Sequence, residues 1–439
     1  MYRFDNMAFT KRSDECDLSE HIYVSTEINI LVNILRSTKI FTKIPLSLQP
    51  TKQNNNISWQ RNSCGLLGSS YMIFHKPYNS CGALYAVSAS LNNSLVIYKN
   101  VNGADWKLVI NYDQTGQKIK GNISKAIISK DGRIYLATVD NLYGENEKTY
   151  LYSSEDPEFY PWKLETGSCQ YENYDRNKNP RGGITAMVEF NNKIYVGTST
   201  PYGAQIWRTN KDKPCVNDWT LVGCSGFGDG ANRHVTSMGV FNNSLYVGLS
   251  KPIPLACILP MGCDIAKIDK SDTWEIVIGS NPIKSTFRRN KNNFQQFDSG
   301  FNNPFNIYAC QIKELAGILY ITTFNNVVNL QSTLELILAN IDNVKEILSA
   351  SLTEEIINIY KNIIYYIESI KYQFGFDLYT SYNGYNYKLI SRCSDYNICM
   401  EEKVYEIYDY LYELLKEPTD YLRCHWDEII NNMNKFIIK

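Results

Sequence analysis

The chain has 439 residues, of which 44% are hydrophobic and 20% are charged, and its formal net charge is −1. This composition is typical of a folded globular protein and excludes a wholly disordered chain. A net charge so close to zero provides no general attraction to nucleic acid or to an anionic membrane, and we expect neither as a partner.

The amino-terminal segment MYRFDNMAFTKRSDECDLSE is polar and lacks the apolar core of a signal peptide. No stretch of the sequence approaches the roughly 18 apolar residues of a membrane-spanning helix. Both features predict a cytoplasmic protein. The 12 cysteines are scattered and the 4 histidines do not fall at ligand spacing with them, so we expect no metal site and no cofactor.

In chain order, the first strand-like segment is HIYVSTEINILVNILRSTKIF (residues 21–41), in which Tyr23 lies between aliphatic residues. Strands of the same type recur at residues 83–88, 133–138, 193–198, 244–249 and 318–323. Their tyrosines follow one another at steps of 50, 60, 51 and 74 residues and are Tyr85, Tyr135, Tyr195, Tyr246 and Tyr320.

Further strands accompany each tyrosine strand. An apolar strand often precedes it, and a second strand type follows it, as in VIYKN, YLYSS, QIWRT, DIAKI and DLYTS. The last strand of each set begins with an aromatic residue, namely Trp106, Trp162, Trp219, Trp274 or Tyr387. Four antiparallel strands repeated every 50–60 residues are the signature of a β-propeller blade.

The sequence therefore predicts an all-β fold, a five- or six-bladed β-propeller over residues 1–399. Five clear blades span residues 80–391, and a degenerate first blade at residues 15–60 makes the sixth in one alternative. We expect the aromatic residue of each last strand to lie between neighbouring blades. The small residues after each tyrosine are expected at the wall of the central channel.

Two segments have helical periodicity. Residues 331–372 predict a helical hairpin inserted in the last blade, with a capping box of Ser351 and Glu354 opening its second helix. Residues 400–439 predict a helical tail that breaks at Pro418. Both helical segments either pack on the propeller and on each other, or form a lid or a docking surface for a protein partner.

The hairpin turns resemble the Asp-box or BNR-like repeats of sialidase-type propellers and related glycan-active or glycan-binding proteins. The closest copies are SYNGYNY (residues 381–387) and VNGADW (residues 101–106), and the resemblance covers about residues 83–391. It implies a propeller whose boxes lie on outer turns, away from a catalytic face. The Arg-Ile-Pro element and the arginine clamp of true sialidases are not matched, so sialidase activity is not implied.

The loops that connect successive blades are expected to gather at one mouth of the channel. The connection CSGFGDGANRHVTSM contains Asp229, Asn232, Arg233 and His234, and NPRGGITAM one blade earlier contains Arg181. The next connection, DSGFNNPFNIYACQ, repeats the pattern and aligns Asn303 with Asp229. One interpretation is a structural turn with a buried phenylalanine.

The other interpretation is a functional site. An arginine side chain offers a planar fork to a carboxylate or phosphate, and histidine exchanges a proton near neutral pH. In a catalytic site, Asp229 and His234 are the acid/base candidates, and Arg181, Asn232, Arg233 and Asn303 are the candidate ligand-binding residues.

Three functions remain open at this point. The first is a ligand-binding β-propeller that recognises a small polar or anionic ligand, a glycan or a peptide, at the channel mouth. The second is a hydrolase or lyase acting on a glycan-like or small-molecule substrate at the same mouth. The third is a scaffold that binds a protein partner through the helical hairpins, since propellers host many unrelated activities.

Overall fold

The computed structural model describes most of the chain between residues 4 and 436. The described residues are 4–11, 20–26, 70–76, 82–89, 95–101, 107–109, 119–121, 123–139, 148–158, 162–167, 174–279, 297–370, 376–390 and 400–436.

The strands form one two-stranded hairpin and five four-stranded antiparallel sheets, here called blades 1 to 5. The hairpin is β1 (Phe4–Lys11) and β2 (Glu20–Thr26). Blade 1 is β3 to β6: Ser70–His75, Ala83–Ala89, Leu95–Asn100 and Lys107–Val109. Blade 2 is β7 to β10: Ile123–Lys130, Arg133–Val139, Tyr150–Ser154 and Lys163–Gly167. Blade 3 is β11 to β14: Gly183–Phe190, Lys193–Ser199, Gln205–Thr209 and Trp219–Gly223.

Blades 4 and 5 follow the same order. Blade 4 is β15 to β18: His234–Phe241, Ser244–Ser250, Asp264–Ile268 and Trp274–Ile278. Blade 5 is β19 to β22: Asn306–Leu315, Ile318–Asn325, Phe376–Ser381 and Lys388–Leu389.

The first strands of successive blades contact one another, β3 with β7, β7 with β11, β11 with β15 and β15 with β19, so they surround one axis. Strand β1 contacts both β19 and β3, which places the hairpin between blade 5 and blade 1. The predicted all-β propeller is thus confirmed. Of the predicted degenerate first blade, strand β2 is described and residues 27–60 lie outside the described residues, so a complete sixth blade stays a prediction.

The repeated tyrosines and tryptophans pack between blades. Tyr85, Tyr135, Tyr195 and Tyr246 are buried in the second strands of their blades. The Tyr195 hydroxyl of blade 3 donates to the Asp272 carboxylate of blade 4 over 2.8 Å. Trp219, which opens the last strand of blade 3, donates to the Thr166 hydroxyl of blade 2 over 3.2 Å. The expected position of that aromatic residue between blades is therefore correct.

Two glycines among the small residues after the tyrosines lie against the next blade. A Cβ atom on Gly197 of blade 3 would lie 2.4 Å from a side-chain carbon of Val235 in blade 4. A Cβ atom on Gly248 of blade 4 would lie 2.8 Å from the Cβ of Ala309 in blade 5. These glycines therefore allow the next blade to approach closely, and the position of the small residues at the channel wall stays a prediction.

Helices occupy one face of the propeller, where the first strands begin and the second strands end. This face, called the connection face, also contains the blade 3–4 connection (residues 224–233) and the blade 4–5 connection (its described residues 297–305). Helix α1 (Ile253–Ile258) joins β16 to β17. Helices α2 (Leu330–Ala339), α3 (Ile341–Leu348) and α4 (Ala350–Ile370) join β20 to β21. Helices α5 (Met400–Cys424) and α6 (Trp426–Asn434) follow β22.

Three details of the helices differ from expectation. The first arm of the insertion is divided at Asn340, whose side-chain amide donates to the Leu336 carbonyl and ends α2. Helix α4 is capped by Ser349, whose Oγ accepts from the Leu352 N–H, so the predicted capping box at Ser351 is wrong. Helix α5 continues through Pro418, which is buried, and the chain breaks at His425 instead.

The helical layer shares one hydrophobic core with blades 4 and 5. The apolar residues that recur at helical spacing in the insertion face this core: Leu334, Ile337, Val344, Leu348, Ile356 and Ile363 are buried, and Ile341, Ile359 and Ile367 are half-buried against it. The Tyr360 hydroxyl of α4 donates to the Ile258 carbonyl over 2.7 Å, and α5 contacts α4. Within the part of the chain that the structure describes, no helix is long and apolar enough to cross a membrane.

We predict that Gly197→Ala lowers the free energy of unfolding by about 1–3 kcal/mol, because the new methyl group overpacks the contact between blades 3 and 4. Urea-induced unfolding measures the effect. Gly230→Ala is the matched control, since no atom lies within 4 Å of its Cβ position. Equal stability of the two variants would contradict the packing argument.

A second prediction concerns His75, which is fully buried between blades 1 and 2. Its ring nitrogens lie 2.8 Å from the Ser129 hydroxyl and 2.8 Å from the Glu155 carbonyl, and burial lowers its pKa. Below about pH 6.5 the unfolded chain therefore binds a proton that the folded protein does not bind. We expect the free energy of unfolding to fall by at most about 1.4 kcal/mol per pH unit below pH 6.5. Urea titrations at several pH values should show this dependence in the wild type and less of it in His75→Gln.

Candidate functional site

The blade 3–4 connection is a tight turn that buries a phenylalanine. Gly226 and Phe227 have φ values of 63° and 61°, a left-handed conformation that glycine adopts readily and phenylalanine rarely. The Phe227 ring is buried and meets the Trp274 ring edge-on at 5.0 Å between centroids. The Gly226 N–H donates to the Ala204 carbonyl, and the Ala204 N–H donates to the Asn232 carbonyl.

The blade 4–5 connection repeats this turn. Gly300 and Phe301 have φ values of 68° and 60°, and the Phe301 ring stacks on Tyr379 at 3.8 Å. The Gly300 N–H donates to the Cys263 carbonyl, and the Cys263 N–H donates to the Asn306 carbonyl. The repeated phenylalanines are thus structural, as the first interpretation of the sequence held.

An asparagine joins each connection to the third strand of its blade. The side-chain amide of Asn232 donates to the Gly226 carbonyl over 3.2 Å and to the Asp264 carboxylate over 2.8 Å. In blade 5, the amide of Asn306 donates to the Gly300 carbonyl and to the Asp377 carboxylate, each over 2.9 Å. Asn232 therefore positions the connection itself.

Asp229 and Asn303 also share a structural role. The side-chain oxygen of Asp229 accepts the Ala231 N–H over 2.9 Å, and that of Asn303 accepts the Phe305 N–H over 3.1 Å. The turn therefore forms equally with a neutral amide or with a carboxylate.

The two blades differ in the charges they bury. In blade 4, the fully buried Lys251 Nζ lies 2.9 Å from the Asp264 carboxylate and 4.0 Å from that of Asp229. The other oxygen of Asp264 accepts the Ser299 hydroxyl over 2.5 Å.

In blade 5, Asn325 occupies the position of Lys251, and neutral donors, including the Tyr408 hydroxyl, bind Asp377. Among the described residues at these positions, blade 4 thus buries Lys251 and Asp264 and half-buries Asp229, whereas blade 5 buries only Asp377.

The C-terminal helices cover this charged cluster. The Arg423 Nη2 of α5 lies 4.0 Å from the Asp229 carboxylate. The Arg233 guanidinium lies 5.6 Å from the Trp426 ring centroid of α6, and Arg233 is only 4% exposed. The cation therefore lies against the face of an aromatic ring and largely out of solvent.

Two predicted residues, His234 and Arg181, have other surroundings. His234 is the first residue of β15, is buried, and pairs with Ser250. Arg181 is exposed and donates to the Arg176 carbonyl and the Asn177 side chain of its own loop. The structure thus gathers Asp229, Asn232 and Arg233 at one place, whereas the contacts of the Arg181 side chain are local.

The sequence did not predict four further residues of this region, Lys251, Asp264, Arg423 and Trp426. Asp264 had a signal, because aligned repeats place Asp264 and Asp377 at the start of the third strand of blades 4 and 5. Lys251 directly follows the second strand of blade 4. Arg423 and Trp426 lie in the helical tail, which has no repeat to align. Within the described ranges no cluster of His, Cys, Asp and Glu side chains could hold a metal ion.

No protein-family profile and no curated protein matches the sequence. Among solved structures, a GH43 β-1,3-galactosidase with galactodeoxynojirimycin is 12% identical over 58% of this chain and 84% of its own, with a TM-score of 0.34. An α-L-arabinofuranosidase from Clostridium thermocellum is 13% identical over 60% and 84%, with a TM-score of 0.34. A luciferin-regenerating enzyme is 12% identical over 59% and 72%, with a TM-score of 0.35. Similarity at this level carries no argument about a ligand or an activity.

We predict that Lys251→Asn lowers the free energy of unfolding by about 3–5 kcal/mol, because it leaves the buried Asp264 carboxylate without its cation. Asp229→Asn should cost less than about 1 kcal/mol, since Asn303 makes the same turn in blade 5. Urea unfolding of both variants measures the difference. A Lys251→Asn protein as stable as the wild type would show that the ion pair does not neutralise Asp264.

Proposed function

We propose that the protein is a ligand-binding β-propeller that recognises a small polar or anionic ligand, a glycan or a peptide, at the connection face of blade 4. The observation that carries this proposal is the difference between two otherwise matching connections. In blade 5 the two positions that differ are Asn303, in the connection, and Asn325, the last residue of the second strand. In blade 4 the same positions are Asp229 and Lys251.

Burying a charged side chain costs free energy, and the turn forms in blade 5 without charges at the positions of Asp229 and Lys251. Lys251 offsets Asp264, but Asp229 adds a second carboxylate that lies 4.0 Å from both Lys251 and Arg423. At this separation the charges attract without a direct hydrogen bond. A ligand with polar groups can reach the accessible parts of Asp229 and Arg423, whose side chains are 14% and 10% exposed, and complete their hydrogen bonds.

The helical cover bears on access to this site. Arg233 lies beneath Trp426, so a ligand reaches its guanidinium only when α6 moves or when Trp426 changes rotamer. Helix α5 is attached by the Tyr408 hydroxyl to Asp377 and by the Tyr412 hydroxyl to Asp298. These contacts hold α5 against blade 5 and the blade 4–5 connection, and Ile429, Ile430 and Met433 of α6 are buried in the shared core.

The two alternatives have less support. A hydrolase or lyase needs a proton-transfer pair open to a substrate, and His234 is buried within β15. A scaffold that binds through the apolar stripes of the insertion needs those stripes exposed, and they are buried in the core with blades 4 and 5. Both therefore stay predictions from the sequence.

Thermal unfolding in the presence of a ligand panel tests the proposal. The panel contains neutral and acidic sugars, short peptides, nucleotides and organic anions. A ligand at about 100 times its Kd stabilises the wild type by about 2.7 kcal/mol. We expect at least one panel member to do so and to lose most of its effect with Asp229→Asn, which keeps the turn but removes the charge.

Asp212→Asn is the control, because it makes the same chemical change at an exposed carboxylate paired with Lys193 in blade 3. It should respond to ligands as the wild type does. A wild type that no panel member stabilises, or an Asp229→Asn protein with an unchanged response, would overturn the proposed function.

A further inference from the structure

A small pocket lies between α5 and the blade 4–5 connection. Its volume is about 30 Å³. Its lining includes Met261, Ser299, Pro304, Tyr412, Thr419 and Arg423. One water molecule needs about 10–15 Å³ of such space, so the pocket accommodates about two water-sized atoms. The two oxygens of a carboxylate match this size.

Arg423 is the unusual member of the lining. Its side chain is only 10% exposed, and its Nε is buried without a hydrogen-bond partner anywhere in the part of the chain that the structure describes. The nearest carboxylate, Asp229, lies 4.0 Å from Nη2, which is beyond hydrogen-bonding distance. A buried donor without an acceptor costs about 1–3 kcal/mol. A carboxylate in the pocket removes this cost once the Arg423 guanidinium turns to meet it, because Nε itself is closed to solvent.

The other polar groups at the pocket do not meet this need. The Ser299 hydroxyl donates to Asp264, and the Tyr412 hydroxyl donates to Asp298 over 3.2 Å. Lys416 and Asp420 also line the pocket and are exposed, and their charges offset each other. The remaining net charge of the lining is the positive charge of Arg423.

We propose that this pocket is a carboxylate-binding subsite and that Arg423 binds the carboxylate of the ligand through its guanidinium fork. The inference rests on the proposed function and names the chemical class of the ligand. A guanidinium presents two parallel N–H groups that match the two oxygens of a carboxylate. The pocket's volume favours a carboxylate over the larger phosphate group.

The carboxylate has two sources in the proposed ligand classes, an acidic sugar and an acidic peptide. Matched pairs of probes separate them: D-glucuronate with D-glucose, and N-acetyl-aspartate with N-acetyl-asparagine. Isothermal titration calorimetry of the full chain measures Kd for each probe. We expect at least one acidic probe to bind, and its neutral partner and inorganic phosphate to bind at least tenfold more weakly.

Arg423→Gln removes the fork and should weaken binding of the acidic probe by about tenfold or more. Lys435→Gln removes the same charge from an exposed position just after α6 and should leave Kd unchanged. Thr419→Met fills the pocket without changing any charge and should weaken binding as well. Thr419→Met therefore still tests the carboxylate subsite if Arg423→Gln does not fold.

The outcomes separate this inference from the proposed function. Equal Kd values for wild type, Arg423→Gln and Thr419→Met would overturn the subsite. Equal binding of an acidic probe and its neutral partner would also overturn it, although sensitivity of that binding to Asp229→Asn would leave the proposed function standing. If no acidic probe binds the wild type, the subsite is excluded, and the broader ligand panel still decides the proposed function.

Discussion

Each blade of this protein is a four-stranded sheet with two apolar faces, and only the neighbouring blades can bury them. The remaining features of the propeller follow from that constraint. Gly197 and Gly248 lack side chains because the next blade lies directly against them. Tyr195 and Trp219 are buried and donate hydrogen bonds to blades 4 and 2, the two neighbours of blade 3.

The same constraint explains the connections between blades. The chain must return from the outermost strand of one blade to the innermost strand of the next, and residues 224–233 and 298–306 do so with the same turn. A left-handed Gly–Phe pair directs the phenylalanine inward, and an asparagine amide ties the turn to an aspartate of the third strand. In blade 5, the described residues at this turn bury one carboxylate, Asp377, and no cation.

Blade 4 has charged side chains that blade 5 lacks, and they lie close together. Lys251, Asp264 and the half-buried Asp229 form a charged cluster, with Arg233 beneath Trp426 and Arg423 of α5 at its edge. A folded chain tolerates such charges only when partners offset their desolvation. The incomplete hydrogen bonding of Arg423 indicates where the chain itself supplies too few acceptors, which is why the subsite is placed there.

Much of the architecture follows from the sequence alone, because the period of the strands, the tyrosines and the helical stripes are local patterns that directly reflect which face of an element is buried. The same alignment correctly indicated a structural role for Phe227 and Phe301. It also brought Asp229, Asn232 and Arg233 into one connection.

Other features were decided by tertiary structure. Helix α5 continues through Pro418 and the chain breaks at His425, because Leu415 and Leu422 on either side of the proline are buried in the core. The packing of Gly197 against Val235 depends on the distance between blades, which no local pattern encodes. Arg423 and Trp426 meet the charged cluster of blade 4 only because the helical tail folds back over the connection face. The repeat thus determined the propeller and its turns, whereas the partners of the buried charges depended on residues far apart in sequence.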